Sequence, residues 1–150
     1  MNSVCCGFGH RDYPYSLYSE LTREIKQLIE INNVHLFFTG DMGKFDNEFS
    51  ICVNTLKQKN RDVKLILIKP YFSDRLNTEK DYYTSKFDDI IIPEEICNCH
   101  FKSAITKRNE WIVRQSAFVL SGVFKEYGGS YNAIKYAEKQ NKTIIDLTGD

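Results

Sequence analysis

The sequence predicts an α/β fold, with a mostly parallel β-sheet of about six strands and helices packed on both faces. Short apolar runs alternate along the chain with longer stretches whose apolar residues recur at helical spacing. The short runs are apolar throughout rather than alternating, as in strands that are buried on both faces. A regular succession of such strands and helices favours a parallel sheet between two helical layers.

Length and composition predict one globular domain over residues 1–150. Hydrophobic residues make up 42% and charged residues 27% of the chain, which is typical of globular domains. A net charge of zero counts against a general affinity for nucleic acid or anionic membrane. No apolar run approaches the roughly 18 residues of a membrane span, and the N-terminus lacks the pattern of a signal peptide. We therefore expect a cytoplasmic protein without a membrane partner.

The first half of the chain predicts three strands and two helices. The first helix is the clearest, because its apolar residues between Leu17 and Ile29 fall on one face. The predicted elements are, in order, a strand over 3–7, a helix over 17–29, a strand over 34–38, a helix over 45–56 and a strand over 63–68.

The second half predicts three more strands and their connecting helices. Its aromatic residues between 71 and 88 could stack on a nucleobase, but we expect them to cover the sheet edge. The predicted elements are a short helix over 78–86, a strand over 89–92, a helix over 103–116, a strand over 118–123, a helix ending near 141 and a strand over 143–147.

Three of the predicted strands run into glycine-bearing turns. These turns are Gly7–Arg11, Thr39–Asp46 and the pair Gly128-Gly129. Ligands of parallel sheets bind beyond the carboxyl ends of the strands, so the three turns are expected to meet at one ligand-binding edge. The N-terminus of the helix after Gly129 suits an anion such as phosphate. Neither the dinucleotide-binding fingerprint nor the P-loop pattern is present.

Side chains in these turns supply candidate contacts to phosphate or sugar. His10 and Arg11 can donate hydrogen bonds, and Thr39 carries a hydroxyl. Asp46 lies near a helix start, where it could cap the helix or hold a ligand hydroxyl. The full set of predicted ligand-binding residues is Gly9, His10, Arg11, Thr39, Gly40, Asp41, Gly43, Asp46, Arg108, Asn109, Gly128, Gly129 and Ser130.

Arg108 and Asn109 stand out because they lie on the apolar face of a predicted helix. They follow Ile105 at i+3 and i+4, on the face that Ile112 continues. A buried guanidinium needs a partner. A bound anion or nucleotide would supply one, and an internal salt bridge to Asp41 or Asp46 is the alternative.

The cysteines predict neither a disulfide framework nor a metal site. Their number, five, is odd, and Cys5 and Cys6 are adjacent within a candidate strand. Cys97-Asn98-Cys99-His100 contains ligand-type residues, but the spacing is not that of a standard zinc site and no second cluster completes it. We expect no metal and no cofactor.

Several of these motifs occur in an order and spacing that resemble a known family, the YpsA-like branch of the SLOG superfamily. They are Gly9-His10-Arg11, Thr39-Gly40-x-Met42-Gly43-x-Phe45-Asp46, Lys107-Arg108-Asn109-x-Trp111-Ile112-Val113 and Tyr127-Gly128-Gly129-Ser130-Tyr131. The resemblance covers residues 4 to 147. It implies a Rossmann-like three-layer sandwich that binds nucleotides or nucleotide-derived ligands. Members include cytokinin-activating phosphoribohydrolases, a DNA-processing protein and sensor modules of bacterial anti-phage and stress systems.

The chain departs from the phosphoribohydrolase members at their catalytic glutamate. Those members carry Pro-Gly-Gly-x-Gly-Thr-x-x-Glu, and alignment on Gly128-Gly129 places Lys135 at the glutamate position. A lysine cannot stabilise the cationic transition state of glycosidic cleavage. We therefore predict no catalytic residue, although Asp41, Asp46 or Glu126 could substitute.

Three functions follow from these patterns. The first is binding or sensing of a nucleotide or nucleotide-derived ligand, in a bacterial or phage stress or defence context. The second is hydrolysis of an N-glycosidic or phosphate bond of a nucleotide. The third is association with nucleic acid, which the neutral net charge disfavours. Whether the chain forms a homo-oligomer stays open.

Overall fold

The fold was analysed in a computed structural model that describes residues 3–12, 14–97 and 100–149, without the side chains of residues 97, 101 and 102. The strands are β1 (Val4–Gly9), β2 (Leu36–Thr39), β3 (Lys64–Ile68), β4 (Asp89–Ile91), β5 (Phe118–Gly122) and β6 (Thr143–Asp146). The helices are α1 (Tyr18–Glu30), α2 (Lys44–Lys57), α3 (Arg75–Thr78), α4 (Lys80–Lys86), α5 (Glu94–Cys97), α6 (Phe101–Gln115) and α7 (Gly129–Lys139).

The strands form one six-stranded sheet in the order β4-β3-β2-β1-β5-β6, and every pairing is parallel. The predicted fold class, an α/β sandwich with a mostly parallel sheet, is therefore confirmed. The chain builds outward from β1 through β2, β3 and β4, and then returns to the other side of β1 as β5. The direction of strand addition thus reverses between β1 and β5, which makes a topological switch point where sheets of this type bind ligands.

Two separate apolar clusters show that both faces of the sheet are covered. Cys5 and Phe37 belong to the cluster beneath α1 and α2, together with Phe45 and Phe49 of α2. The next residues along the strands, Cys6 and Phe38, face the opposite cluster, which includes Ile112 of α6 and Ile134 of α7. The side chains of a strand alternate between its faces, so apolar residues at every position require a helical layer on each side.

The main correction to the predicted boundaries concerns the first glycine turn. β1 runs to Gly9 rather than ending at Gly7, and Gly9 pairs with Gly122 of β5. The ring of Phe45 lies against this strand end, where a Cβ on Gly9 would stand 2.3 Å from the Phe45 Cγ. Gly9 therefore lies in a strand beneath a bulky ring, and the turn begins only after it.

The segment after β3 also differs from expectation. The predicted helix over 78–86 is two short helices, α3 and α4, which meet at Glu79, and α5 was not predicted. The Cys97–Cys99 part of the suggested metal motif lies outside the residues whose side chains are described. No helix in the described part of the chain is long and apolar enough to cross a membrane.

Two helices that lead away from the carboxyl edge of the sheet begin at glycines with positive φ. Gly43 precedes α2 with a φ of 100°, and Gly128 precedes α7 with a φ of 101°. Side chains rarely tolerate this backbone conformation, so both turns need glycine. These turns aim the N-termini of α2 and α7 at the same edge of the sheet.

Candidate functional site

Two adjoining clefts open at the carboxyl edge of the sheet. The larger has a volume of about 560 Å³ and lies over the ends of β2 and β3. The smaller has a volume of about 250 Å³ and lies over the end of β1, next to the start of α7. They share the residues Arg11, Gly40, Met42, Ile105 and Arg108. The clefts are therefore contiguous, with this shared group between them.

The smaller cleft lies at the topological switch point and gathers most of the predicted residues. Four of its lining residues come from three different elements or turns: His10 after β1, Asp46 of α2, and Gly129 and Ser130 of α7. Asn109 of α6 completes the wall. His10 and Ser130 are more than 100 residues apart in the sequence, so the fold brings together candidate ligand-binding residues from separate glycine turns.

Arg108 is buried at the boundary of the two clefts, with 2% of its surface exposed. Its Nη1 donates to the carbonyl oxygens of Ile68 (3.0 Å) and Gly40 (3.4 Å). Its Nη2 lies 3.0 Å from the Met42 sulfur, and its Nε donates to the Asn109 Oδ1 at 2.9 Å. All of these acceptors are neutral.

Arg108 makes no ion pair within 4 Å with any carboxylate in the described part of the chain. The salt bridge to Asp41 or Asp46, the alternative considered from sequence, is therefore not formed. Burial lowers the pKa of Arg108, the charge of Asp46 raises it, and the charge of Arg11 lowers it further. Backbone carbonyls hold the guanidinium in place, but no carboxylate among the described residues pairs with it directly.

Asp46 stands in the first turn of α2 and reaches back along the chain. Its Oδ2 accepts the backbone N–H of Met42 at 2.8 Å, so it does satisfy a donor next to the helix start. Burial raises its pKa to about 6, against the lowering effects of the Met42 hydrogen bond and of Arg108. Because Asp46 also lines the smaller cleft, the structure is compatible with both roles considered from sequence.

His10 is a buried, neutral residue of the smaller cleft. Its Nε2 accepts the backbone N–H of Lys125 at 3.1 Å, and the edge of its ring meets Phe124. Burial lowers its pKa, and the charge of Lys125 lowers it further. The accepting Nε2 places the ring proton on Nδ1, so this nitrogen is a donor.

Other predicted residues are engaged within the protein. The Asp41 carboxylate pairs with Lys86 at 3.0 Å and accepts the Tyr82 hydroxyl at 2.9 Å. Thr39 is buried, accepts the Asp41 N–H at 3.3 Å and lines neither cleft. The Ser130 hydroxyl donates to the Gly9 carbonyl at 2.7 Å. Ser130 lies in the first turn of α7 and lines the smaller cleft.

The glycines of the site fall into two groups. A Cβ on Gly40 would lie 2.8 Å from the Arg108 guanidinium carbon, and a Cβ on Gly43 would lie 2.6 Å from the Arg11 Cγ. By contrast, a Cβ on Gly128 or Gly129 would meet nothing within 4 Å. The positive φ at position 128 requires glycine there. At position 129 neither the backbone conformation nor a neighbouring atom excludes a side chain.

The larger cleft contains functional-type residues that the sequence analysis did not select. Its lining includes Lys69, Tyr71, Arg75, Tyr82 and Lys86. None of them belongs to a glycine motif. One signal could have found Lys69, because it directly follows β3, at the strand end where ligands of parallel sheets bind.

Lys135, which the resemblance aligns with the catalytic glutamate of the phosphoribohydrolases, lines neither cleft. It is exposed on α7, where it pairs with Glu138 at 3.5 Å and lies over the Tyr131 ring. Among the described residues, no group of three or more histidine, cysteine, aspartate or glutamate side chains could hold a metal ion.

Comparison with known proteins finds similarity in structure. DNA processing protein A from Streptococcus pneumoniae superposes with a TM-score of 0.65 at 14% identity, over 97% of this chain and 50% of that protein. The Helicobacter pylori protein, described for its single-stranded DNA binding mode, gives 0.66 at 15% identity, over 96% and 64%. A molybdenum cofactor binding protein from Rippkaea orientalis gives 0.62 at 16% identity, over 97% and 76%.

These structural similarities show that the chain shares the overall fold of these proteins. The chain spans about half to two thirds of the length of the two DNA processing proteins. No protein-family model matches the chain, and no curated protein matches it. The neighbours show a Rossmann-like fold of the predicted kind, while the SLOG superfamily and its YpsA-like branch stay a prediction.

Proposed function

We propose that the chain binds a nucleotide or nucleotide-derived ligand at the carboxyl edge of the sheet, with a phosphate group in the smaller cleft. The observation that carries this proposal is the buried guanidinium of Arg108, whose hydrogen bonds all go to neutral acceptors. A buried cation that meets only neutral acceptors is costly, and an anion in the adjoining space would compensate it. The clefts on either side of this guanidinium provide that space.

The start of α7 supplies the rest of a phosphate site. The first backbone N–H groups of an 11-residue helix have no partner within the helix, and its dipole favours a negative charge there. Gly129 leaves room for an anion to approach these groups closely. His10 Nδ1, the Arg11 guanidinium and the Asn109 amide would add donors to its oxygens.

Binding or sensing is proposed in preference to turnover. The resemblance to the YpsA-like branch supports a nucleotide-derived ligand, and the replacement of the family's catalytic glutamate by Lys135 argues against phosphoribohydrolase chemistry. One observation favours the alternative of a hydrolase. Asp46, with its pKa near 6, is a carboxyl group in the smaller cleft that could exchange a proton with a ligand near neutral pH.

Single-stranded nucleic acid is a second candidate partner. The supporting observation is the likeness in fold to the Helicobacter pylori protein, combined with the cationic lining of the larger cleft. The net charge of zero counts against it, because affinity for nucleic acid derives mostly from cationic contacts to phosphates.

A panel of ribonucleotides, deoxyribonucleotides and a single-stranded oligonucleotide tests these functions together. We expect nucleotides to raise the melting temperature and to be recovered unchanged after incubation, as judged by liquid chromatography. Mass spectrometry of compounds that co-purify with the protein identifies the natural ligand class. Recovery of a free base or of released phosphate would establish the hydrolase instead. Binding of the oligonucleotide alone, with a steep salt dependence, would favour the nucleic-acid function.

A further inference from the structure

The larger cleft carries more positive charge than its own acidic residues can compensate. Five of its lining residues are cationic: Arg11, Lys69, Arg75, Lys86 and Arg108. One lining residue, Asp41, is acidic, and its carboxylate is already paired with Lys86. A phosphate in the smaller cleft would be shared with Arg11 and Arg108, which line both clefts, but it would leave Lys69 without an anion.

Lys69 is the clearest sign of a second anion position. It is partly buried, its Nζ lies 5.9 Å from the centroid of the Tyr83 ring, and no carboxylate in the described ranges lies within 4 Å of it. Burial lowers its pKa, and repulsion from Arg75 and Arg108 lowers it further, against a smaller raising effect of Asp41. Three cations thus converge on one space, an arrangement that an anion between them would stabilise.

Arg75 stands on the outer rim of the same cleft. Its Nε donates to the Glu79 carboxylate at 2.5 Å, in an exposed pair on one side of the short helix. The two terminal amino groups of Arg75 have no acceptor among the described residues. A planar guanidinium with these groups free is well suited to hold two oxygens of one phosphate.

The wall between α4 and the β2–α2 turn is fixed in place by polar contacts. Lys86 donates to Asp41 (3.0 Å), Asn47 (3.1 Å) and the Tyr82 hydroxyl (2.9 Å), which satisfies all three of its N–H groups. Tyr82 is 43% exposed and lines the cleft, so its ring offers a surface for a nucleobase. This cleft is therefore preformed rather than open on a mobile segment.

We infer that the larger cleft binds a second phosphate group of the same ligand, so the ligand is a small dinucleotide-type molecule with at least two phosphates. This inference rests on the proposed function, since it assumes that the first phosphate lies at the start of α7. The shared boundary at Arg11 and Arg108 lets one molecule occupy both clefts. A volume of about 560 Å³ is typical of small-molecule sites, and the neutral chain favours such a ligand over a polymer.

The test compares mononucleotides with dinucleotides by isothermal titration calorimetry. The probes are 5′-mononucleotides of each base, the matching 5′-phosphorylated dinucleotides, and pyrophosphate-linked dinucleotides. The variants are Lys69→Met for the larger cleft and Gly129→Val for the smaller one. Lys64→Met is the matched control, because Lys64 is an exposed lysine at the other end of the same strand.

We expect dinucleotides to bind the unaltered protein about tenfold or more tightly than mononucleotides, from one added charge-assisted phosphate contact. Lys69→Met should remove this advantage and leave mononucleotide affinity unchanged, whereas Lys64→Met should change neither. If Lys69→Met proves unstable, Arg75→Gln provides the same comparison from the exposed rim.

The outcomes separate this inference from the function on which it rests. Two results would overturn the second phosphate position and leave the first intact. One is equal affinity for mononucleotides and dinucleotides, and the other is a Lys69→Met variant that still binds dinucleotides more tightly than mononucleotides. Dinucleotide binding that survives in Gly129→Val but fails in Lys69→Met would overturn the position at α7 instead. No binding of any nucleotide would overturn both. Tighter binding of a 20-nucleotide single strand than of any dinucleotide would replace the small ligand by nucleic acid.

Discussion

The glycines on the two sides of the smaller cleft have different reasons to be glycine. On the β1 and β2 side, added Cβ atoms at Gly9, Gly40 and Gly43 would collide with Phe45, Arg108 and Arg11 respectively. On the α7 side, a Cβ at Gly129 would enter open space. The first group is required by the packing of the protein itself. At Gly128 and Gly129 the approach to the backbone is open, and no described side chain of the protein occupies it.

A glycine-rich turn can therefore have either of two physical causes. A glycine motif after a strand indicates close approach to the backbone, but it does not say whether a side chain or a ligand approaches. Substitution distinguishes the two, because packing glycines should cost stability and a ligand glycine should cost binding.

The largest loss is expected for Gly9→Ala. The new Cβ would lie 2.3 Å from the Phe45 Cγ, and Phe45 is buried between α2 and the sheet, so the ring cannot move away without disturbing the core. Overpacking of this kind costs about 3 kcal/mol in the free energy of unfolding. Urea denaturation measures it, with Gly129→Ala as the control that should remain within about 0.5 kcal/mol. Equal stability of the two variants would contradict the distinction between glycines required by packing and glycines that face open space.

Arg108→Met should be the next most destabilising change. It removes the donors to the buried carbonyls of Ile68 and Gly40, and an unsatisfied buried acceptor costs about 1–3 kcal/mol. The structure shows these carbonyls, rather than the salt bridge to Asp41 or Asp46 considered from sequence, as the internal partners of the guanidinium. Urea denaturation of Arg108→Met beside Lys107→Met, an exposed neighbour on α6, measures the effect. An unchanged stability would contradict this expectation, because it would mean that water donates hydrogen bonds to these carbonyls when the arginine is absent.

Asp46→Asn should change how stability depends on pH. The pKa of Asp46 is about 6 in the folded protein and near 3.8 in the unfolded chain, so the folded state binds the proton more tightly. The free energy of unfolding therefore falls as pH rises from about 4 to 6, by an amount on the order of 1–3 kcal/mol. Asparagine can still accept the Met42 N–H, so the variant should be more stable than the unaltered protein at pH 7 and equal to it below pH 4. Melting curves across this range test the difference, and a variant that is less stable at pH 7 would contradict it.

The sequence was sufficient for the fold because the relevant signals are local. Apolar runs such as that from Phe118 to Gly122 indicate buried strands, and such runs predicted all six strands of the sheet. The position of Gly9 could not be predicted, because it depends on contact with Phe45, a residue of another element. Periodicity also gives no reason to divide the segment after β3 at Glu79.

The candidate site was predicted in part for the same reason. His10, Arg11 and Gly129 were found because they lie next to glycine motifs, and the fold brings them to one cleft. Lys69 and Arg75 were not found, because they belong to a polar segment without a motif. Their importance arises only from their position beside Arg108, which depends on the packing of α6 across the sheet.

The smallest stability change and the largest binding change are expected for Gly129→Val. The valine side chain would meet no protein atom near its Cβ, so the free energy of unfolding should change by about 0.5 kcal/mol or less. The same side chain would fill the approach to the first N–H groups of α7. Lys139→Val, at the far end of the same helix, is the matched control for introducing valine.

Calorimetry of the best-binding nucleotide against these two variants tests the central claim most directly. We expect Gly129→Val to melt like the unaltered protein and to show no measurable binding, whereas Lys139→Val should retain full affinity. Full affinity in Gly129→Val would contradict the account, because it would show that the start of α7 does not hold the phosphate.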